Sequence, residues 1–412
     1  MTDTVFVLGG GVAGLSAARN LQMLGRFVAV IDPLPSPGGA SFGNGGFISP
    51  ESFMPSAQPG MLRSVPGWLR DPLGPLTIKP AQVLRSMPWF LKWLRAGSHQ
   101  RMAELAKQVH ALHAPALGEW RRLLGPDAYA RFIKEEGEVI LADQAPSGRA
   151  FETEKRLCKE FGLSVDILSK SDLKRIYPGM SDVVQYGYLK PGNAHTVSPG
   201  QVNAALADSI AADGGRFVRE RVLKLIPDGE GWLILTNVGN HRAKDVVVAC
   251  GVWSNQLLEP LGAAIPLESQ RGYHVMLPAN EVEIGIPFIH RGRGIGLTPM
   301  LDGLRVAGTI EFSGVDGVPN ERRADQALHH AKQLFPGIRS KPMTVWTGQR
   351  PATPDTLPAV GEVAGRSGLW LCFGHGAYGM TSAPPSGRLV AEMLTGQTTF
   401  IDAAPLNPAR FS

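Results

Sequence analysis

Cysteine is scarce in this chain. The 412 residues hold three, Cys158, Cys250 and Cys372, odd in number, widely spaced and without a Cys-x-x-Cys pair. That excludes a disulfide framework and a zinc site of ordinary spacing, and it fits a reducing compartment. No apolar run reaches the roughly eighteen residues that a membrane helix needs. Residues 1–4 lead straight into an apolar strand with no basic segment and hydrophobic stretch before it, so no export signal is expected. A P-loop, a Ser/His/Asp arrangement and metal-ligand spacings are also missing, which removes phosphoryl-transfer and hydrolytic readings. No internal repeat or low-complexity tract is evident. What remains, 43% apolar and 19% charged residues over a length of two to three domains, describes a globular protein with a large core.

The net charge of +5 is local rather than general. Residues 61–101 carry seven cations (Arg63, Arg70, Lys79, Arg85, Lys92, Arg95, Arg101) against one acid, Asp71, together with Trp68, Trp89 and Trp93. So confined an excess argues against nucleic acid. The stretch MPWFLKWLR at 87–95 reads as a short amphipathic helix, with two readings open. Cations beside indoles suit the surface of an anionic membrane; alternatively the indoles are core and the cations a solvated face.

The chain opens with a β-branched and apolar strand over 4–8, then Gly9, Gly11 and Gly14 in a Gly-x-Gly-x-x-Gly frame. Leu15, Ala18 and Leu21 follow at helical spacing, and an extended run from Phe27 ends at Asp32. The glycines thus fall where a strand becomes a helix. There they allow a tight turn, approach of a pyrophosphate and close helix–strand packing, with the phosphate on the positive helix end. Asp32 is placed to accept ribose hydroxyls and to repel a 2′-phosphate. NAD and FAD both fit this motif, and a surface carboxylate at a strand end is the plainer reading of Asp32.

Further along, Ser198, Pro199 and Gln201 begin a helix with the stripe Val202, Ala205, Leu206, Ile210, halted at Gly214 and Gly215. A strand over 216–219, a hairpin near Asp228–Gly231 and an apolar strand over 245–249 ending in Cys250 and Gly251 complete the same unit. Residues 265–310 differ: short strands between turn residues predict an antiparallel sheet. Near the C-terminus, Gly374, Gly376 and Gly379 surround His375 and leave a loop without obstructing side chains, followed by Thr381 and an apolar helix. Such a loop suits a planar ring and points helix-end donors at negative charge. Arg350, in a strand-like segment with Trp346, would be costly to bury without a carboxylate partner, either a substrate or a fixed acid such as Asp355.

These motifs together resemble one family. ASFGNGGFISP (40–50), GNAHTVSP (192–199), VVVACGVWS (246–254), RGYH (271–274), WTGQRPATPDTLPAVG (346–361) and CFGHGAYGMTSAPPSG (372–387) occur in the order of the flavin-dependent D-amino acid, glycine and sarcosine oxidoreductases, and the chain resembles their D-amino acid dehydrogenase branch. The resemblance implies an α/β fold. A Rossmann-like, doubly wound FAD-binding domain would come from residues 1–55, 197–262 and 345–412, and an α+β substrate domain on an antiparallel sheet from 56–196 and 263–344. It implies FAD contacts at Gly9, Gly11, Val12, Ala13, Gly14, Asp32, Pro33, Ser41, Asn44, Gly45, Gly46, Val222, Cys250, Gly251, Gly374, His375, Gly376, Tyr378, Gly379, Met380 and Thr381. It implies Arg350 as the holder of a substrate α-carboxylate, with Tyr273, His274 and Tyr378 around the reacting centre. As bare residues, the strand tyrosine and histidine are equally well packing groups, His375 a structural histidine and Asn44 a turn former.

The activity implied is oxidative deamination of a small D-amino acid, with hydride passing from Cα to the flavin and an imino acid hydrolysed to a 2-oxo acid and ammonia. A quinone or another acceptor would reoxidise the cofactor. Alternatives are a glycine, sarcosine, D-proline or opine-type secondary-amine oxidase or oxidase subunit, and a flavin-binding assembly factor without turnover. The cysteine that attaches flavin covalently in sarcosine-oxidase-like relatives has no counterpart between Cys250 and Cys372, so noncovalent FAD is expected. The expected setting is amino acid catabolism in the cytoplasm, with peripheral contact at the inner membrane face if the 61–101 segment binds lipid.

Overall fold

The computed structural model describes residues 4–34, 39–59, 61, 65, 67, 70, 71, 74 and 76–411. Its first half-unit follows from alternation. Along the strand Thr4–Leu8, Val5 and Val7 turn to a cluster with Leu15, Ala18 and Leu389, whereas Phe6 and Leu8 turn to Trp232, Ile234 and Leu257. Both faces are therefore covered, which is why the strand is apolar throughout. It lies inside a six-stranded sheet in the order 216–218, 27–31, 4–8, 246–248, 369–373, 359–362, parallel except for the last pair.

The helices Val12–Met23, Pro199–Ala212 and Gly379–Leu394 cover one face of this sheet. Ser198 caps the second of them by accepting the Gln201 N–H, with Pro199 at the first helical position. An antiparallel ribbon of 222–228, 231–236 and 240–243 covers the other face. Trp120, fully buried, ties the helix Ala116–Phe132 to the start of Gly379–Leu394 by donating Nε1–H to the Met380 carbonyl at 2.6 Å.

A second sheet of nine strands is built around the antiparallel strands 344–352, 268–277, 303–312, 295–300 and 288–290, continuing through 138–142, 186–190 and 166–168. The strand 76–78 pairs in parallel with 303–312. Odd residues of Glu268–Leu277 (Tyr273, Val275, Leu277) pack against Ala324, Ala327 and Ala331 of the helix Arg322–Leu334. His274, by contrast, reaches the loop that follows the second strand of the parallel sheet. The strand Thr344–Ala352, grouped by sequence with the cofactor segments, pairs along its length with Glu268–Leu277 and so belongs to this larger sheet.

The helix expected over 87–95 runs from Pro80 to Ala96 and turns its indoles inward. Trp89 is buried and donates to the Ala352 carbonyl at 2.9 Å; half-buried Trp93 donates to Ser56 Oγ at 3.3 Å. The core reading holds for Trp89, whose indole N–H finds its partner inside the protein, whereas Trp93 is half-buried and bonds an exposed serine. Trp68 and Arg63 lie outside the described residues. The outward face carries Val83, Leu84, Met87 and Leu91 beside Arg85, Lys92 and Arg95. Among the described residues no helix is long and apolar enough to cross a membrane.

Candidate flavin and substrate site

At the first strand-to-helix turn, Gly9 takes φ +108° and a Cβ on Gly14 would lie 1.9 Å from the Gly9 carbonyl oxygen. Only glycine permits this approach, which leaves Gly11, Val12 and Ala13 as an open helix start. Ser41 Oγ accepts the Val12 N–H at 2.9 Å. Asp32 closes the turn from the neighbouring strand end, accepting the N–H groups of Gly10 at 2.6 Å and Leu34 at 2.8 Å, with Pro33 between. A carboxylate has about four lone-pair sites, so ribose hydroxyls can still bond it. Cys250 and Gly251 follow the strand 246–248 alongside; burial pushes the Cys250 thiol up to about 12, and it donates to the Leu8 carbonyl. Val222 begins the antiparallel ribbon and packs against the cluster that holds Leu8 and Ile31.

The loop 40–50 bonds both the large sheet and the helix Gly379–Leu394. His274 Nδ1 lies 3.0 Å from the Gly43 carbonyl, Arg305 donates to the Asn44 carbonyl, and Thr298 donates to the Gly45 carbonyl at 2.8 Å. Thr196 donates to Gly46, and the Ser49 N–H reaches Thr381 Oγ1 at 2.9 Å. Asn44 also makes the expected turn, accepting the Gly46 N–H at 2.9 Å, while its Nδ2 would lie 3.9 Å from a Cβ on Gly379. The two flavin-facing segments of the resemblance, 40–50 and 374–381, are therefore adjacent.

In the second segment Gly374 and Gly376 take φ +95° and +52°, and space around Gly376 is open. His375 is buried and its Nε2 has no partner. Burial, then the neighbouring His113, holds it down at about 3, so it is neutral. His274 is likewise held down at about 3, by burial first and by Arg305 next. Since a carbonyl only accepts, His274 is the Nδ1–H tautomer. Tyr378 packs 5.0 Å from His113.

Arg350 is half-buried on the strand Thr344–Ala352, which lies at one edge of the large sheet. Its Nη1 donates to the Thr309 carbonyl at 3.2 Å, and a Cβ on Gly272 would lie 2.3 Å from Nη2, so that glycine makes room for the guanidinium. Burial alone lowers it to about 10. Asp355, the fixed acid that could have neutralised it, is held by Arg410 through two bonds of 2.9 and 3.2 Å. Among the described residues half-buried Arg350 has no carboxylate partner, and withdrawing an unneutralised cation even partly from water is costly unless an anion joins it.

Tyr273 does not join this group. It points to the opposite face of its strand, where its hydroxyl bonds the buried Glu311 and accepts the Asn320 N–H at 2.8 Å. The period-two alternation of a strand sends neighbours Tyr273 and His274 to opposite faces, so both could not line one site.

Sequence reasoning missed several parts of this site. Trp346 stacks on His274 at 5.0 Å and rests on Gly43, where a Cβ would lie 2.2 Å from the indole. It borders a cavity of about 180 Å3 with Phe42, Trp253, Arg271 and Gln349. Buried Glu138 accepts from Ser49 Oγ at 2.6 Å and Asn193 at 3.0 Å, and burial raises its carboxyl. The run of glycines opposite a tryptophan was a signal for the Trp346 contact; nothing local marked Glu138.

An open helix start, an acid at the next strand end, a second glycine-rich helix start and the orphaned His375 Nε2 fit a dinucleotide carrying a planar ring. Residues 4–393 match the family described as FAD dependent oxidoreductase (DAO). The chain belongs to this family. It is therefore an FAD-dependent oxidoreductase, and FAD is its cofactor. Over 422 residues it is 33% identical to a D-amino-acid oxidase of Bradyrhizobium diazoefficiens, covering 99% of this chain and 98% of that protein. A D-amino acid dehydrogenase of the same organism is 29% identical over 99% of both chains. The fold is similar to glycine oxidase from Geobacillus kaustophilus (TM-score 0.75, 24% identity, 99% of both chains) and to L-proline dehydrogenase from P. horikoshii (TM-score 0.78, 19% identity, 100% and 98%).

Proposed function

We propose that this flavoenzyme oxidatively deaminates D-amino acids, and that Arg350 holds the substrate α-carboxylate. The unneutralised, half-buried Arg350 carries the reading: its free edge can grip a carboxylate through two parallel hydrogen bonds. Bound FAD supplies the two-electron acceptor. The substrate loses hydride from Cα and a proton from nitrogen, and water converts the resulting imino acid to a 2-oxo acid and ammonia. Neutral His274 and His375 add no positive charge that would repel an amine, and Trp346 over His274 shields one side of the site from water. The relatives named D-amino-acid oxidase and D-amino acid dehydrogenase support this substrate class.

The test is anaerobic titration of the flavin absorbance with D- and L-amino acids, glycine, sarcosine and D-proline. Bleaching by D-amino acids alone supports the reading. Bleaching by glycine or sarcosine alone moves the enzyme to the glycine and sarcosine oxidases, and a flavin that none of these reduces removes the catalytic role.

The two sheets support a division into a cofactor part (1–55, 197–262 and 345–412) and a substrate part (56–196 and 263–344), with the strand 344–352 carried across to the substrate sheet. A quinone acceptor and a peripheral membrane contact form the finer part of this proposal. Exposed Leu84, Met87 and Leu91 beside Arg85, Lys92 and Arg95 support it, since that face matches a helix lying in an anionic interface.

A further inference from the structure

The strand Gly303–Phe312 is not regular. Arg271 pairs with Glu311 and Tyr273 with Gly308, so Thr309 and Ile310 occupy a bulge facing a single partner residue. Thr309 takes φ +58°, one of two non-glycine residues with positive φ among the described residues. A β-branched residue is poorly suited to that conformation, and such strain persists where surrounding contacts impose it, often at ligand sites. Two contacts define the bulge: the Thr309 N–H reaches the Gly294 carbonyl at 3.2 Å, and its carbonyl accepts from Arg350 Nη1 at 3.2 Å. Thr309 is 2% exposed, yet its Oγ1 has no hydrogen-bond partner. The Arg350 guanidinium makes no other hydrogen bond among the described residues.

We propose that Thr309 is the second half of the carboxylate subsite. Its carbonyl anchors one arm of Arg350, and its hydroxyl donates to a carboxylate oxygen that the guanidinium holds. The inference rests on the reading of Arg350 given above. The geometry gives a reason for threonine where glycine would relieve the backbone. A carbonyl can fix the arginine but not bind an anion, so the residue must also bring a donor. A buried hydroxyl left without a partner is costly, and an incoming carboxylate removes that cost. Both groups sit on one residue, within a side chain's reach of the guanidinium.

Four forms of the holoenzyme test this: wild type, Thr309→Val, Thr309→Ser and Arg350→Met. Propionate binding is measured by calorimetry, and KM and kcat with a D-amino acid. Thr309→Val keeps the shape and loses the donor; Thr309→Ser keeps the donor. The expected result is propionate affinity and KM weakened about tenfold in Thr309→Val, within about threefold of wild type in Thr309→Ser, and kcat changed much less than KM, the pattern of a bond made equally in ground and transition states. Equal losses in the Val and Ser variants, or an unchanged affinity in Thr309→Val, overturn the proposal. If Arg350→Met also leaves propionate binding unchanged, the carboxylate reading itself fails; if it abolishes binding while Thr309→Val does not, only the role of Thr309 fails.

Discussion

Single side chains show how burial sets chemistry here. Arg350 and Asp355 are five residues apart in sequence, and spacing alone allowed them to pair. Asp355 instead meets Arg410, which leaves Arg350 free for a ligand. Arg350→Met is expected to raise KM about 100-fold or more, since a buried charge-assisted pair is worth about 2–5 kcal/mol, while the flavin spectrum is retained. Steady-state kinetics beside the visible spectrum check this.

The buried histidines predict a pH response. His375 and His274 are held at about 3, and His113 at about 4, all by burial first. An unfolded histidine takes a proton near pH 6.5, so the unfolded chain binds more protons than the folded one between these values. Stability from these groups is complete above about pH 6.5 and is lost as pH falls toward 4 and 3. Thermal midpoints from pH 8 to 4 should fall, and His375→Asn should flatten that fall by nearly one proton's worth.

At the scale of elements, the loop 40–50 is the junction on which both sheets converge. Its carbonyls are held by His274, Arg305 and Thr298 of the large sheet, and its Ser41 and Ser49 bond the two helix starts. Gly43→Ala would drive a Cβ to 2.2 Å from the Trp346 ring, so the indole must shift. The expected outcome is a folded, yellow protein with reduced turnover. Gly14→Ala is different: its Cβ would meet backbone at 1.9 Å, so the turn itself must open, and flavin should be lost on gel filtration.

The helix Pro80–Ala96 shows where linear reading divides. Its amphipathic character was legible at 87–95, but which face was inward was not. Indole and leucine alternate around the helix, and Trp89 was drawn inward by a carbonyl 263 residues away. In the same way the strand carrying Tyr273 and His274 was legible, whereas the partners beyond each face came from Glu311 and Gly43, remote in the chain.

For the molecule as a whole, cofactor and fold should be linked. Segments from the start, middle and end of the chain form the six-stranded sheet, and the proposed FAD contacts come from all of them. Noncovalent FAD that binds only the folded chain should stabilise it by about 2.7 kcal/mol at 100 times Kd, so the thermal midpoint should rise with FAD concentration. Acid precipitation should release all flavin to the supernatant; flavin remaining on the pellet would contradict noncovalent attachment. The outward apolar and cationic face of Pro80–Ala96 predicts flotation with anionic liposomes that weakens on Leu84→Glu, and protein that stays at the bottom of the gradient removes the membrane contact.

The sequence by itself determined the local units: the glycine turn before Val12–Met23, the acid after Phe27–Ile31, the capped start at Ser198 and the open loop around His375. Each is specified by backbone geometry and short-range hydrogen bonds, which neighbouring residues dictate. Tertiary structure alone decided that Arg350 is unneutralised, that Tyr273 faces away, that the strand of Arg350 joins the substrate sheet and that Thr309 is strained beneath it. Those outcomes depend on register and on which distant group is buried against which, and burial is a property of the assembled sheets rather than of any stretch of chain.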